Sequence, residues 1–287
     1  MHDRDVSAKP VGNRPGMPQH ESMLYRTVSL AWSAFFLLAA GCSRDSGTAS
    51  KPAPLRVLCG SSMAAPGQAV GRFFTEKQGV EVLIDMGGSE TLLPRILTGA
   101  PADVFICHDP FERKVKEAGL WTGSARVGLL EPVLLVRPGN PQKLHSIHDL
   151  TNVNLRIGIG DPRYSTCGEL FMALLEKKGL RDQVMPQVVL QGRTHAEIAN
   201  GLIVGPLDVA VVWNYIARLY GDKVQLVPTA DAYPEVNVTV VGLKQSRNAK
   251  LRDAFLECCR SEPVKAIFAE HGYGRPSSAA GTGGVAP

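Results

Sequence analysis

Two short stretches of this chain carry the same pattern of residue types: VLCGSSMAA (57–65) and IDMGGSETLL (84–93) each run from an apolar segment through Gly and Ser into a helix-like stretch. A turn that ends a strand and opens a helix presents unpaired backbone N–H groups and the positive end of the helix dipole, and these two add serine hydroxyls. That is the chemistry of an uncharged anion cradle, with Ser61, Ser62, Gly88 and Ser89 as its candidate residues. Gly and Ser are also ordinary turn and N-cap residues, so one copy would mean little. Two further segments, GDPRYSTCG (160–168) and QGRTH (191–195), extend the set to four turns.

Other chemistries can be written from the same chain. Cys167, His195 and either Asp161 or Asp208 could serve as thiol, base and orienter of a hydrolase. Ser62, however, lies in GSSMA rather than in a GxSxG elbow. His145 and His148, His108 with Asp109, and the Cys258–Cys259 pair could suggest a metal, although HSIH is short of ligands. Neither a catalytic residue nor a metal or other cofactor is expected. Of the six cysteines, the five at 59, 107, 167, 258 and 259 cannot all pair and form no CxxC; Cys59 and Cys107 end apolar strands, where Cys usually packs as a small apolar residue.

Composition narrows the classes. The 287 residues are 44% hydrophobic and 20% charged, which suits a folded body of one large domain or two lobes, and the net charge of +4 comes with no basic run interleaved with aromatics, so nucleic acid is not an expected partner. Near the start, Arg26 precedes the apolar run VSLAWSAFFLLAA (28–40), too short to span a bilayer but of signal-peptide length. It closes in LLAAGC, which resembles a bacterial lipoprotein lipobox with Cys42 as the residue to be lipidated. The expectation is export, with 1–41 as signal peptide and extension, 42–54 as a small, polar tether from a lipid anchor, and 277–287 as a disordered tail.

The elements that must position the turns follow from periodicity. From Leu55 the chain alternates strand and helix: LRVLC, a helix with Val70, Phe73 and Phe74 on one face, VEVLID, a helix with Leu92, Leu93, Ile96 and Leu97, then ADVFIC and FERKVKEAG. After the strand PVLLVRP (132–138) and a short helix at 146–150, a second unit begins with LRIGIG, a helix from Thr166 to Gly179, a strand at 188–190, a helix whose Thr194 and Glu197 match a capping box, and DVAVVW. The strand EVNVTVVGL (235–243) and helices at 248–260 and 264–272 complete the chain. Continuous apolar runs such as VFIC belong to sheets covered on both faces, hence an α/β fold of mostly parallel sheets. Ligands of such sheets bind beyond the carboxyl ends of the strands.

GVEVLIDMGGSETLLPRILTGAPADVFICHD is similar to the solute-binding proteins of bacterial molybdate ABC transporters, a type II solute-binding family, with GAPADVFI the specific part. The resemblance runs on through RIGIGDPRYSTCGELFMALLEKKGL and DVAVVW and so covers about 55–275. It implies two lobes, 55–131 plus 236–276 and 132–235, that hold a tetrahedral oxyanion, molybdate or tungstate, between them by uncharged donors. It implies hydroxyl donors on Ser62 and Ser89, backbone N–H donors on Cys167 and His195, and Trp213 where the family has a tyrosine. A carboxylate facing a dianion would repel it, so Glu90 is expected to point away. The partners implied are the permease subunits of an ABC importer, met by a monomeric, non-enzymatic lipoprotein at the periplasm or cell surface; another small anion or a metal ion is the alternative ligand.

Overall fold

The structure is a computed structural model and describes residues 52–152, 154–227 and 235–274. The signal-like segment, Cys42, the tether up to Lys51 and the 277–287 tail lie outside the described residues. The first unit runs β1 (Leu55–Gly60), α1 (Ala64–Gln78), β2 (Val82–Gly87), α2 (Ser89–Leu97), β3 (Val104–His108), α3 (Phe111–Glu117) and β4 (Trp121–Leu130). The second runs β5 (Pro132–Val136), β6 (Ile157–Gly160), α4 (Thr166–Lys178), α5 (Arg181–Val184), β7 (Val188–Gly192), α6 (His195–Val204), β8 (Val209–Trp213), α7 (Tyr215–Tyr220) and β9 (Gln225–Val227). The chain then returns to the first unit as β10 (Val236–Leu243), α8 (Ala249–Arg260) and α9 (Glu262–Glu270).

Two five-stranded sheets result, ordered β2-β1-β3-β10-β4 and β7-β6-β8-β5-β9. In each, four strands run one way and a single strand, β10 in the first sheet and β5 in the second, runs antiparallel between its two neighbours. The sheets are therefore mixed, and helices flank both faces of each.

Alternation along the strands decides which helix covers which face. Val57, Cys59, Ile106, Val238 and Val240 pack against Val70 and Phe74 of α1, Phe255 of α8 and Phe268 of α9. Leu58, Phe105, Cys107 and Val241 face the other way, onto Leu92 and Ile96 of α2 and Phe111 and Val115 of α3. In the second sheet Leu134, Val136, Ile157, Ile159, Val209 and Val211 lie under α4, while Val133, Leu135, Ala210 and Val212 lie under α6 and α7. Every residue of β3, β5, β6 and β8 is buried, as strands covered on both faces require.

Four elements escaped the periodicity, the four-residue helix α5 among them. WTGSARVGLL forms the ten-residue strand β4, paired antiparallel with β10, although its Gly, Ser and Thr give no clean alternation. YIARLY forms the short helix α7, and QLV forms the three-residue edge strand β9.

Only Glu131 separates β4 from β5, and Asn214 pins it: the Glu131 N–H donates to the Asn214 side-chain carbonyl at 3.2 Å, and the Asn214 N–H to the Glu131 carbonyl at 2.9 Å. The Asn214 amide also donates to the Gly274 carbonyl at 2.6 Å, so the crossing between the sheets is tied to the end of the described chain.

Candidate functional site

Strands β1, β2, β3, β6, β7 and β8 release their carboxyl ends into one cleft. Beyond β1 lie Ser61 and Ser62, beyond β2 Gly88 and Ser89, and at the end of β3 His108; from the second sheet come the loops after β6 and β7 and Trp213 at the end of β8. This is where ligands of open α/β sheets bind, because helix N-termini point there. The cavity measures about 430 Å³.

The first two turns touch. A Cβ on Gly60 would stand 2.7 Å from Ser89 Oγ and 2.5 Å from the Met63 methyl, so a glycine is what lets the β1 turn approach the N-terminus of α2. Ser89 is buried, Ser62 half-buried and Ser61 exposed. Ser62 is held by the Tyr273 hydroxyl, which donates to its carbonyl, with Tyr215 stacked against Tyr273. The two tyrosine rings stack at 5.2 Å with 9° between their planes, and burial pushes the Tyr215 hydroxyl up to about 12, so it stays protonated.

Glu90 does not point away. Its carboxylate folds back over Gly88, filling the space a side chain there would need, and it lines the cleft. The expectation neglected the helix itself: as the second residue of α2, Glu90 lies within reach of unpaired N–H groups and the positive dipole end, which attract any carboxylate.

On the facing side, Ser165 caps α4 by accepting from the Gly168 N–H at 3.3 Å, and Thr194 caps α6 by accepting from the Glu197 N–H at 3.1 Å. Glu197 returns a bond from the Arg193 N–H at 3.0 Å. Cys167 and His195 are the second and first residues of their helices, so their N–H groups have no acceptor within the helix. The Cys167 side chain is fully buried against the core that holds Met63 and Trp213; its neighbours Ser165 and Thr166, not Cys167 itself, line the cleft.

The floor is aromatic. Trp213 is 1% exposed, and the rings of His108 and His195 approach it at 6.0 and 5.9 Å. His108 Nδ1 bonds the Asp109 carbonyl at 2.7 Å, whereas the buried His195 Nδ1 has no partner. Burial pushes His195 down to about 3, with the nearby His108 adding to the shift, and burial also lowers His108. Both rings are therefore neutral near pH 7. Around the rim stand Arg163, paired with Asp161 at 2.6 Å, and Arg193, whose guanidinium lies 4.2 Å from the centre of the Tyr164 ring.

The cleft thus brings together Ser61, Ser62, Gly88, Ser89, His195 and Trp213 of the expected set. Tyr215 was missed, His108 was read only as a possible metal ligand beside Asp109, and Arg163 and Arg193 lay within the candidate turns without being singled out. The only sequence signal for His108 was its position at the carboxyl end of a wholly apolar strand. Charged groups at the cleft also mean that the site is not the purely neutral cradle the turns suggested.

The hydrolase constellation loses its parts. Burial pushes the Cys167 thiol far above its ordinary range, Asp161 is held by Arg163, and Asp208 by Arg156 at 2.9 Å and Arg137 at 3.3 Å. Among the described residues no three His, Cys, Asp or Glu side chains are grouped to hold a metal ion. His145 and His148 are exposed beside Asp149, which caps its own turn by accepting from the His145 N–H at 2.7 Å.

A family model described as bacterial extracellular solute-binding protein matches residues 55–274. The molybdate-binding protein ModA of Mycobacterium tuberculosis is 25% identical over 253 residues, 84% of this chain and 95% of that protein. The solved periplasmic molybdate-binding protein of Azotobacter vinelandii superposes with a TM-score of 0.64 at 19% identity, covering 77% of this chain and 99% of that one. A ferric binding protein from Campylobacter jejuni reaches the same TM-score at 15% identity over 76% of this chain and 85% of its own, so the fold by itself does not choose the cargo.

Proposed function

The chain belongs to the bacterial extracellular solute-binding proteins, and we propose that it captures a tetrahedral oxyanion, molybdate or the equally shaped and charged tungstate, between its two lobes and delivers it to an ABC importer. One observation carries this reading: the hydroxyl-bearing turns after β1 and β2 and the N-termini of α2, α4 and α6 all open into one cleft. A deprotonated oxyanion offers only acceptors, and hydroxyls with unpaired N–H groups offer matching donors. The lobes are 55–131 with 236–276 and 132–235, hinged at Glu131 and at the return to β10. Similarity to molybdate-binding proteins supports the choice of anion.

Mechanistically, the ligand docks on one lobe and closure brings the other lobe's donors onto its remaining oxygens. Oriented N–H dipoles hold the anion with no permanently charged side chain bonded to it, so opening releases it. The side chain of Trp213 would contribute an indole N–H where a tyrosine hydroxyl stands in the family. Cys42 is the proposed lipid attachment point, and Cys42→Ala should move the protein from the membrane fraction to the soluble one; wild type already soluble would contradict this.

A second reading, a small organic anion, is favoured by Arg163 and Arg193 at the rim and by a cavity with room for more than four oxygens. A thermal-shift series with molybdate, tungstate, sulfate, phosphate and a phosphorylated hydroxy acid separates the two. Strong stabilisation by molybdate and tungstate and little by the others is expected. A preference for sulfate or for the organic phosphate would overturn the molybdate assignment.

A further inference from the structure

We propose that the imidazoles of His108 and His195 are themselves ligand groups of this cleft, and that the oxyanion enters with a proton taken from solvent onto one of them. This rests on the oxyanion reading above. The two rings come from different sheets, His108 from the end of β3 and His195 from the start of α6, and both lie against Trp213 at about 6 Å. Ligand capture between the sheets therefore places both beside the anion.

Two hydrogen-bond facts point to a missing acceptor. His195 Nδ1 is buried without a partner, a state shared among the described side chains only by Gln245 Oε1. A buried polar ring atom left unpaired is costly, and an incoming oxygen would satisfy it once it carries hydrogen. His108 Nδ1 sits 2.7 Å from the Asp109 carbonyl. A carbonyl only accepts, so Nδ1 carries the hydrogen, and Nε2 of the neutral ring is an acceptor. An oxyanion cannot bond to an acceptor; a proton on Nε2 turns it into a charged donor.

The surrounding charges leave room for this switch. Glu90 reaches the cleft from α2, Lys114 from α3, Glu169 from α4, and Arg163 and Arg193 from the loops before α4 and α6. The Asp109 carboxylate beside His108 is turned to Asn237, accepting from its N–H at 3.0 Å and its amide at 2.9 Å, and Arg163 is turned to Asp161. Tyr215 on α7 stays protonated. Without ligand, burial lowers both rings, with His108 adding to the effect on His195 and Asp109 and Glu90 partly opposing it on His108. A dianion reverses the sign for one ring: its protonated form becomes favoured, while the second proton would meet the charge of the first. The affected ring has a higher pKa in the complex than in the free protein, so binding takes up a proton and affinity rises as pH falls. No bond within the anion changes. Such a site favours dianions over monoanions, which would draw the proton in less strongly.

Calorimetric titration of the intact protein with molybdate, in buffers of differing ionisation enthalpy at about pH 6, 7 and 8, reads the proton directly. About half to one proton taken up per anion is expected near pH 7, with affinity rising about ten- to hundredfold from pH 8 to 6. His195→Gln, which keeps the backbone N–H, and His108→Asn, each checked for cooperative melting, should between them abolish the uptake. The wild-type buffer series stands even if a variant fails to fold. Tight binding with no proton uptake and a flat pH profile would overturn the inference while leaving the oxyanion reading intact. Uptake that survives both substitutions and vanishes in Glu90→Gln would also overturn it by placing the proton on the carboxylate. Sulfate binding in place of molybdate, with the same uptake, would support it. No oxyanion bound at any pH would overturn the parent reading and this one together.

Discussion

Glu90 shows how a single side chain can oppose the ligand its helix attracts. Its carboxylate lies over Gly88 at the N-terminus of α2, where the backbone donors and the dipole would also draw an oxyanion. A dianion must displace this carboxylate or bind beside it. Glu90→Gln keeps the hydrogen-bonding capacity and removes the charge, so molybdate affinity should rise, by about three- to tenfold at low salt and less at high salt because the group is exposed. Dissociation constants at two ionic strengths check this; an unchanged or weaker affinity would show that Glu90 supports the ligand. The sequence made the serine turns legible because Gly-Ser after an apolar run has a local meaning. The placement of Glu90 was not legible: a like-charge argument at the level of residue types omits the competing field of the helix.

At the scale of elements, each sheet is pinned at the end opposite the cleft by an aspartate that opens a strand. Asp103, just before β3, accepts from the Arg56 N–H on β1 at 2.8 Å. Asp208, just before β8, accepts from the Arg156 N–H beside β6 at 3.0 Å and from the side chains of Arg156 and Arg137. These are the acidic residues of GAPADVFI and DVAVVW, so the most specific part of the sequence resemblance has a structural basis: the carboxylate replaces a missing ladder partner where parallel strands begin. The Arg156 guanidinium holds Asp208 at about 2, below its ordinary range. A depressed carboxyl contributes stability above its unfolded value near pH 4 and loses it as pH falls through about 2. Asp208→Asn should therefore cost on the order of 2 kcal/mol near neutral pH and flatten the acid limb between about pH 4 and 2, as urea midpoints across that range would show. An equally steep acid limb in the variant would assign the loss elsewhere. The strands with continuous apolar runs and the capped helices were readable from sequence. β4 and β9 were not, because an edge position tolerates Gly, Ser and short length, and only the pairing with β10 or β5 makes them strands.

For the whole molecule, the lobes are joined at the crossing, where Asn214 bonds Glu131 and Gly274, the Arg218 guanidinium bonds the Glu270 carbonyl at 3.2 Å and Tyr215 stacks on Tyr273, and at the cleft floor, where His108 meets Trp213. The hydrogen-bonded crossing suits a hinge about which the cleft closes on its ligand. Small-angle scattering should accordingly show a smaller radius of gyration when molybdate is added, whereas an unchanged radius with anion bound would mean that the cleft captures without closing. Tyr273, beside this crossing, also holds the Ser62 turn by donating to its carbonyl. The central claim is that the turns after β1 and β2 grip an oxyanion, and it is tested most directly by calorimetric titration of molybdate into wild type, Ser62→Ala and Ser89→Ala. Each substitution leaves the helix N–H groups in place and removes one charge-assisted bond, so affinity should fall about 10- to 150-fold, roughly 1.5 to 3 kcal/mol, with little change in melting temperature. If the serines only shape their turns, melting will drop while molybdate binds as tightly as to wild type, and the claim is contradicted.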